Sequence, residues 1–282
     1  MQEERKTDLL PVSNDYVFAR LFGRKNHERV LVCLLNAILD GHPHIKTITL
    51  DPTEHKKKRK DGKTIRLDIA ATSDDGTRLN IEMQCHNEGN IADRAAYYQA
   101  RLREEELKEG QSYSTIPDII SIWICDEPVT KRKGCCHEIV DMYKKSPVDD
   151  SEIASEKVRQ FIIELTKIDM AEKCLLNKMF SVWMRFIKDP STIPPEFLDY
   201  PEVNEAMSEL TIMSADKITR AEYNSRLKQL NDFRSGQTEK YNEGAHDKSL
   251  ETAKNLFSMG LAIEQIAKAT GLSLKEIEAI KI

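Results

Sequence analysis

Between residues 116 and 125 the chain reads IPDIISIWIC, an almost unbroken apolar run rich in isoleucine. Branched side chains of this kind pack well on a pleated sheet, and a run without polar alternation marks a strand covered on both faces. Such a strand needs layers above and below it, which commits the chain to an α/β architecture.

The neighbouring segments supply those layers. Residues 27–40 place Val30, Leu31, Leu34, Leu35, Ile38 and Leu39 at helical spacing, with Gly41 where a helix would end. Before them, Val17, Phe18, Leu21 and Phe22 suggest a short helix stopped at Gly23. Strands are expected at 45–50, 64–72 and 78–84, followed by a long helix over 91–109 that carries Ile91, Ala95, Tyr98 and Leu102 and stops at Gly110. Helix, three strands, helix and strand is an order that suits a mixed sheet flanked by helices. Residues 137–143 read as a further strand, and 158–165 as a strand or a helix. From 171 to 188 the pattern is helical, prolines at 190, 194, 195 and 201 punctuate it, and 203–233 reads as one or two polar helices. A Gly/Ser/Gln joint near Gly236 precedes a last helical unit.

Composition narrows the setting. The 282 residues are 40% hydrophobic and 32% charged, as in a globular protein, and no stretch reaches the roughly 18 apolar residues of a membrane span. The N-terminus is charged and lacks the apolar core of a secretory signal, so a cytoplasmic address is expected. Six cysteines without CxxC pairs fit reduced thiols. Cys135, Cys136 and His137 adjoin one another, but three consecutive side chains on a strand cannot all face one metal. A formal charge of −5 argues against coating nucleic acid through bulk electrostatics. It leaves room for a local patch, and HKKKRKDGK at 55–63 is one. Most charge runs are solvated loops; this one gains meaning as a phosphate-contacting arm only beside a nucleic-acid site.

The most informative stretch is TIRLDIAATSDDGTRLNIEMQ, residues 64–84. Ile65, Leu67, Ile69 and Ala71 alternate with Arg66, Asp68 and Ala70; Leu79, Ile81 and Met83 alternate with Asn80, Glu82 and Gln84. Asp74-Asp75-Gly76 matches a three-residue hairpin loop with glycine in the left-handed position. If Ser73 pairs with Thr77, Asp68 falls opposite Glu82. Carboxylates so paired repel, and they either ask for a cation between them or lie at a surface neutralised by Arg66 and Arg78.

These residues also resemble the second and third strands of PD-(D/E)XK phosphodiesterases, where an Asp and an ExK or ExQ element sit on adjacent strands. Taken in order, NDYVFARLFG, LLNAILDG, RLDIAA, NIEMQ, DRAAYYQARL and LKEGQSYSTIPDIISIWICD are similar to the recombination-promoting nuclease / putative transposase family, over about residues 10–170. The resemblance implies a restriction-endonuclease-like α/β core over 1–170; the helical patterning beyond it divides the rest into a helical extension over 171–235 and a small C-terminal helical, helix-turn-helix-like unit over 236–282. It makes Asp68 and Glu82 the metal-binding carboxylates for Mg²⁺ or Mn²⁺, with the backbone carbonyl of Met83 as an extra ligand. Gln84 stands in the place of the usual catalytic lysine, and Asp15 matches the acid that the first helix contributes. An amide cannot take up a proton near neutral pH, so water activation would rest on the metal or on a substrate phosphate. The implied activity is hydrolysis of DNA phosphodiesters in a recombination or mobile-element context.

Arg94 is expected at the edge of that site, Tyr98 in the core, and His86 on the strand face of Gln84 if the strand continues. Near the C-terminus, Ala267, Gly271 and Ile277 are spaced as in a helix-turn-helix, yet SLKEIEAIKI is poor in base-reading side chains. A packing or self-association unit, and with it a homo-oligomer, is the preferred reading of that tail. Two other functions stay open: a DNA-binding protein that keeps the fold without cleaving, and an interaction protein that acts through its helical tail.

Overall fold

A computed structural model describes residues 8–40, 44–55, 65–86, 89–131, 136–144, 152–174 and 177–280. Gly41, Cys135 and the basic stretch 56–63 lie outside them. The described chain divides into two units, residues 1–220 and 221–282.

In the first unit, α1 (Asp15–Phe22) and α2 (Glu28–Leu39) precede strands β1 (Ile48–Leu50), β2 (Glu54–His55), β3 (Ile65–Arg66), β4 (Ile69–Ser73) and β5 (Arg78–Gln84). Helix α3 (Ile91–Glu106) leads to β6 (Ile119–Cys125), β7 (His137–Lys144) and β8 (Glu152–Glu164). Six strands form one sheet in the order β1-β4-β5-β6-β8-β7, with β6 parallel to β5 and β8 and the outer pairs antiparallel. This is the mixed, helix-flanked sheet that the isoleucine-rich run demanded, and every residue of β6 is buried.

Helices cover both faces. On one, α3 packs Ile91, Ala95 and Leu102 against Ala70, Ile119, Trp123 and Cys125, with Tyr98 joining both groups. On the other lie α1 and α4 (Lys178–Lys188), joined where Phe22 meets Trp183 edge-on at 5.7 Å. Gly23 ends α1 at a close approach: a Cβ there would stand 2.7 Å from the Ala19 carbonyl oxygen and 3.2 Å from Ile69 Cγ1. Glycine is called for there by the close approach, since its φ of −92° is open to any residue. Beyond α4, α5 (Pro201–Ala215) completes this side, and the Ser214 hydroxyl accepts from the Leu10 backbone N–H at 2.9 Å.

Several boundaries differ from the sequence reading. The strand expected over 64–72 is broken at Leu67 and Asp68. In an unbroken ladder the Met83 N–H would face the backbone there; instead it donates to Asp68 Oδ2 at 2.8 Å, and Leu67 N–H turns to the Thr53 carbonyl at 2.9 Å. β3 therefore pairs with β2 in a separate small ladder. The first strand starts only at Ile48, and α3 ends at Glu106 rather than near Gly110. The ambiguous segment 158–165 lies, up to Glu164, in a strand that starts at Glu152, and the helix expected over 171–188 is α-helical only from Lys178, after a 3₁₀ stretch, Leu165–Cys174.

No joint interrupts the chain at Gly236: α6 runs unbroken from Lys217 to Ser258. A mid-helix glycine costs only about 1 kcal/mol and does not forbid this. In the second unit, α7 (Ile263–Thr270) and α8 (Leu274–Ile280) fold back on the end of α6 around Ala253, Ile266, Leu272 and Ile277. Gly271 makes their turn at φ +74°.

Candidate active site

The hairpin sets the register. Ser73 N–H donates to the Thr77 carbonyl at 2.9 Å, Gly76 takes φ +88°, and the Asp75 carboxylate accepts from Ser73 Oγ at 2.5 Å and Thr77 N–H at 2.9 Å. That turn gives the pairs Ile69↔Ile81, Ala70↔Asn80 and Ala71↔Leu79, the register that the loop predicts. Extended by one residue, it puts Asp68 beside Glu82. Arg78 bonds instead to Asp51 and Glu106, and Arg66 is exposed.

Alternation also holds in β5, but its polar side is not a solvent face. Asn80 and Glu82 are buried under α3. Across the sheet they continue into β6 and β8 as three successive rows: Asn80, Ser121 and Gln160; Glu82, Trp123 and Ile162; Gln84, Cys125 and Glu164. In the first row Asn80 Nδ2 and Trp123 Nε1 both donate to Ser121 Oγ, at 3.2 and 3.0 Å, and Gln160 donates to Gln99 of α3 at 2.7 Å.

Glu82 is the electrostatic outlier. Burial first, and then the charge of Asp68, push its carboxyl well above the usual carboxylate range; the Arg94 guanidinium and hydrogen bonds from the Asp68 backbone and Asn80 only partly oppose this. Its Oε1 is buried and accepts no hydrogen bond. A desolvated carboxylate with a like charge beside it and an open lone pair is the arrangement that a cation stabilises.

Asp15 opens α1 at the same corner. The Cys85 thiol donates to the Ser13 carbonyl at 3.1 Å, just before α1, and it is pushed up to about 12, by burial foremost and then by the charges of Asp15, Asp68 and Asp126. The two candidate acids thus share a neighbour just past the end of β5, and Asp126 joins them from the end of β6. Asp126 was missed in the sequence, although WICD places an acid directly after the buried strand. Its backbone N–H donates to the Gln84 carbonyl at 3.0 Å.

Gln84 is held at both ends. Its Oε1 accepts from Arg94 Nη1 at 2.7 Å, and its Nε2 donates to the His86 carbonyl. His86 lies beyond the strand, where its Nδ1 is 2.7 Å from Glu127 Oε1. In the same row Glu164 is buried, and it accepts from Val129 N–H, Thr130 N–H and Oγ1, and Lys167 Nζ. These bonds outweigh the opposing effect of burial and hold its carboxyl below the usual range.

Among the described residues no three His, Cys, Asp or Glu side chains gather into a metal cluster. Mg²⁺ commonly uses only one or two carboxylates with waters, so Asp68 and Glu82, with the unpaired Oε1, fit a hard divalent cation. His137 is engaged elsewhere: its ring packs on Phe161 and Phe180, at 5.5 and 5.2 Å between centroids.

The layered sheet with carboxylates where an antiparallel hairpin meets the parallel strands has the α/β fold of PD-(D/E)XK proteins. The family described as PD-(D/E)XK nuclease family transposase matches residues 12–239, and the chain belongs to it. Neither the curated proteins nor the solved structures contain a significant match. Nucleases with this core generally use divalent metals, and the family implies a DNA substrate. No helix among the described residues is long and apolar enough to cross a membrane.

Proposed function

We propose that the chain is a Mg²⁺- or Mn²⁺-dependent DNA endonuclease that hydrolyses phosphodiester bonds at the Asp68–Glu82 pair, in recombination or the movement of mobile elements. The observation that carries this reading is the buried, raised Glu82 carboxyl with an open oxygen beside Asp68. Asp68 and Glu82 would hold the cation, with the Met83 carbonyl as a further ligand. A divalent cation there supplies Lewis acidity and screens charge on the phosphate.

The remaining roles fall to the protein. Asp68 joins the bend to β5 through the Met83 N–H, so the two acids keep their spacing. Gln84 is a donor: one hydrogen of its NH₂ goes to His86, and the other is left for a phosphate oxygen or the attacking water. Asp15, at the start of α1, adds a carboxylate at the rim. Water adds to phosphorus, the P–O bond to the leaving strand breaks, and the products are a phosphate monoester and a hydroxyl end.

The test is nicking of supercoiled plasmid with Mg²⁺ or Mn²⁺. Wild type should cut, and Asp68→Ala and Glu82→Ala should each lose about 10³-fold or more, as expected when an electrostatic element of the transition state is removed. Wild type that binds DNA without cutting and without metal affinity would instead favour a non-cleaving binder. Function that survives deletion of the first 170 residues would favour the helical tail.

A further inference from the structure

We infer that Arg94 is a positioning residue for the proposed reaction, holding the Gln84 amide and supplying through it the fixed positive charge that a glutamine cannot carry. The inference rests on the nuclease reading above.

The geometry starts with a ligand that has only one way to bind. Arginine donates and never accepts, so the Arg94 Nη1 contact at 2.7 Å fixes the Gln84 carbonyl oxygen toward α3 and its NH₂ away from it. The His86 carbonyl, which only accepts, agrees with that orientation from the other end. Arg94 is itself immobilised. Its guanidinium lies 5.4 Å from the Trp123 ring centroid and 5.7 Å from that of Tyr98, and its backbone N–H closes the first turn of α3 on Asn90.

Trp123 is the cross-strand neighbour of Glu82, so the cation sits over the row that holds the buried carboxylate and bonds to the row beside it. A lysine at position 84 would bring charge and donor on one side chain. Here the donor is on β5 and the charge on α3, and one charge-assisted hydrogen bond joins them. Such a bond polarises the amide and strengthens its remaining N–H as a donor.

Variants at the two positions test this, read by the Gln84 amide signals and by nicking. Arg94→Met keeps the aliphatic stem over Trp123 and removes the charge, Arg94→Lys keeps a charge, and Gln84→Lys/Arg94→Met moves the charge to the strand. The side-chain amide signals of Gln84, assigned by their loss in Gln84→Met, should shift in Arg94→Met while circular dichroism stays that of wild type. In plasmid nicking, Arg94→Met should lose about 10²-fold in kcat with little change in KM, Arg94→Lys should keep part of the rate, and the double variant should regain tenfold or more. Unmoved amide signals, a wild-type rate in Arg94→Met, or a double variant no better than the single one would overturn the inference while leaving the nuclease reading intact. A wild type that cuts nothing would sink that reading and Arg94's catalytic part together, and the amide signals would still report the Arg94–Gln84 bond.

Discussion

Single side chains in this protein divide into those that hold structure and those left poised, and Glu164 and Glu82 show the difference. Both are buried acids in adjacent rows of the sheet, on β5 and β8 with β6 between them, yet Glu164 has four donors and a lowered pKa, whereas Glu82 has a like-charged neighbour and a raised one. Replacing Glu164 by glutamine takes the counter-charge from Lys167 and sets an NH₂ where one of the two oxygens accepts, so one of the donors now faces a donor. Glu164→Gln should therefore cost about 2–4 kcal/mol at neutral pH, measured by urea unfolding. Because its folded pKa lies below the unfolded value, that stabilisation is full above about pH 4.3 and is lost as pH falls through the folded value. The gap between wild type and Glu164→Gln should close in acid; a gap that persists there would contradict the assignment. The contrast was only partly visible in the chain itself. Alternation and the DDG turn placed Asp68 against Glu82, but three of the four donors of Glu164 come from residues 34 and 35 positions earlier and could not be paired by spacing.

At the scale of elements, α3 is the lid of the candidate site, and one residue pins it. Gln99 is buried, and its Nε2 lies 3.3 Å from the carbonyls of both Ile119 and Arg159, while its Oε1 accepts from Gln160. Gln99→Ala would strand these groups and should destabilise the first unit by about 2–3 kcal/mol, again by urea unfolding. Wild-type stability in that variant would mean that α3 is held by its apolar stripe alone. Strong periodicity made α1, α2, α3, β5 and β6 legible in sequence. The break at Asp68 was not, because it depends on a carboxylate taking the place of a backbone carbonyl in front of Met83. Nor was the continuity of α6, since Ser235, Gly236 and Gln237 look like a joint when read apart from the helix around them.

For the whole molecule, the division after Arg220 separates the sheet and every candidate site residue from the C-terminal helices. Arg220 ties its own unit together, donating to the carbonyls of Asp8 and Ser214 at 2.6 and 2.8 Å. A chain cut shortly after it should fold with the thermal stability of the sheet unit and keep metal-dependent nicking within about threefold. Loss of nicking in a folded truncation would assign the tail a part in the reaction; loss of dimers on gel filtration, with nicking retained, would assign it to self-association.

The bend that interrupts the ladder has a practical bearing on how the site can be silenced. Glu82 is set in a strand paired on both sides, so any replacement there disturbs packing and chemistry at once. Asp68 stands outside the ladder and contributes one acceptor to it. Asparagine can fill that acceptor role with no negative charge, so under the proposed nuclease reading Asp68→Asn is the variant expected to hold intact DNA uncut on an otherwise native surface.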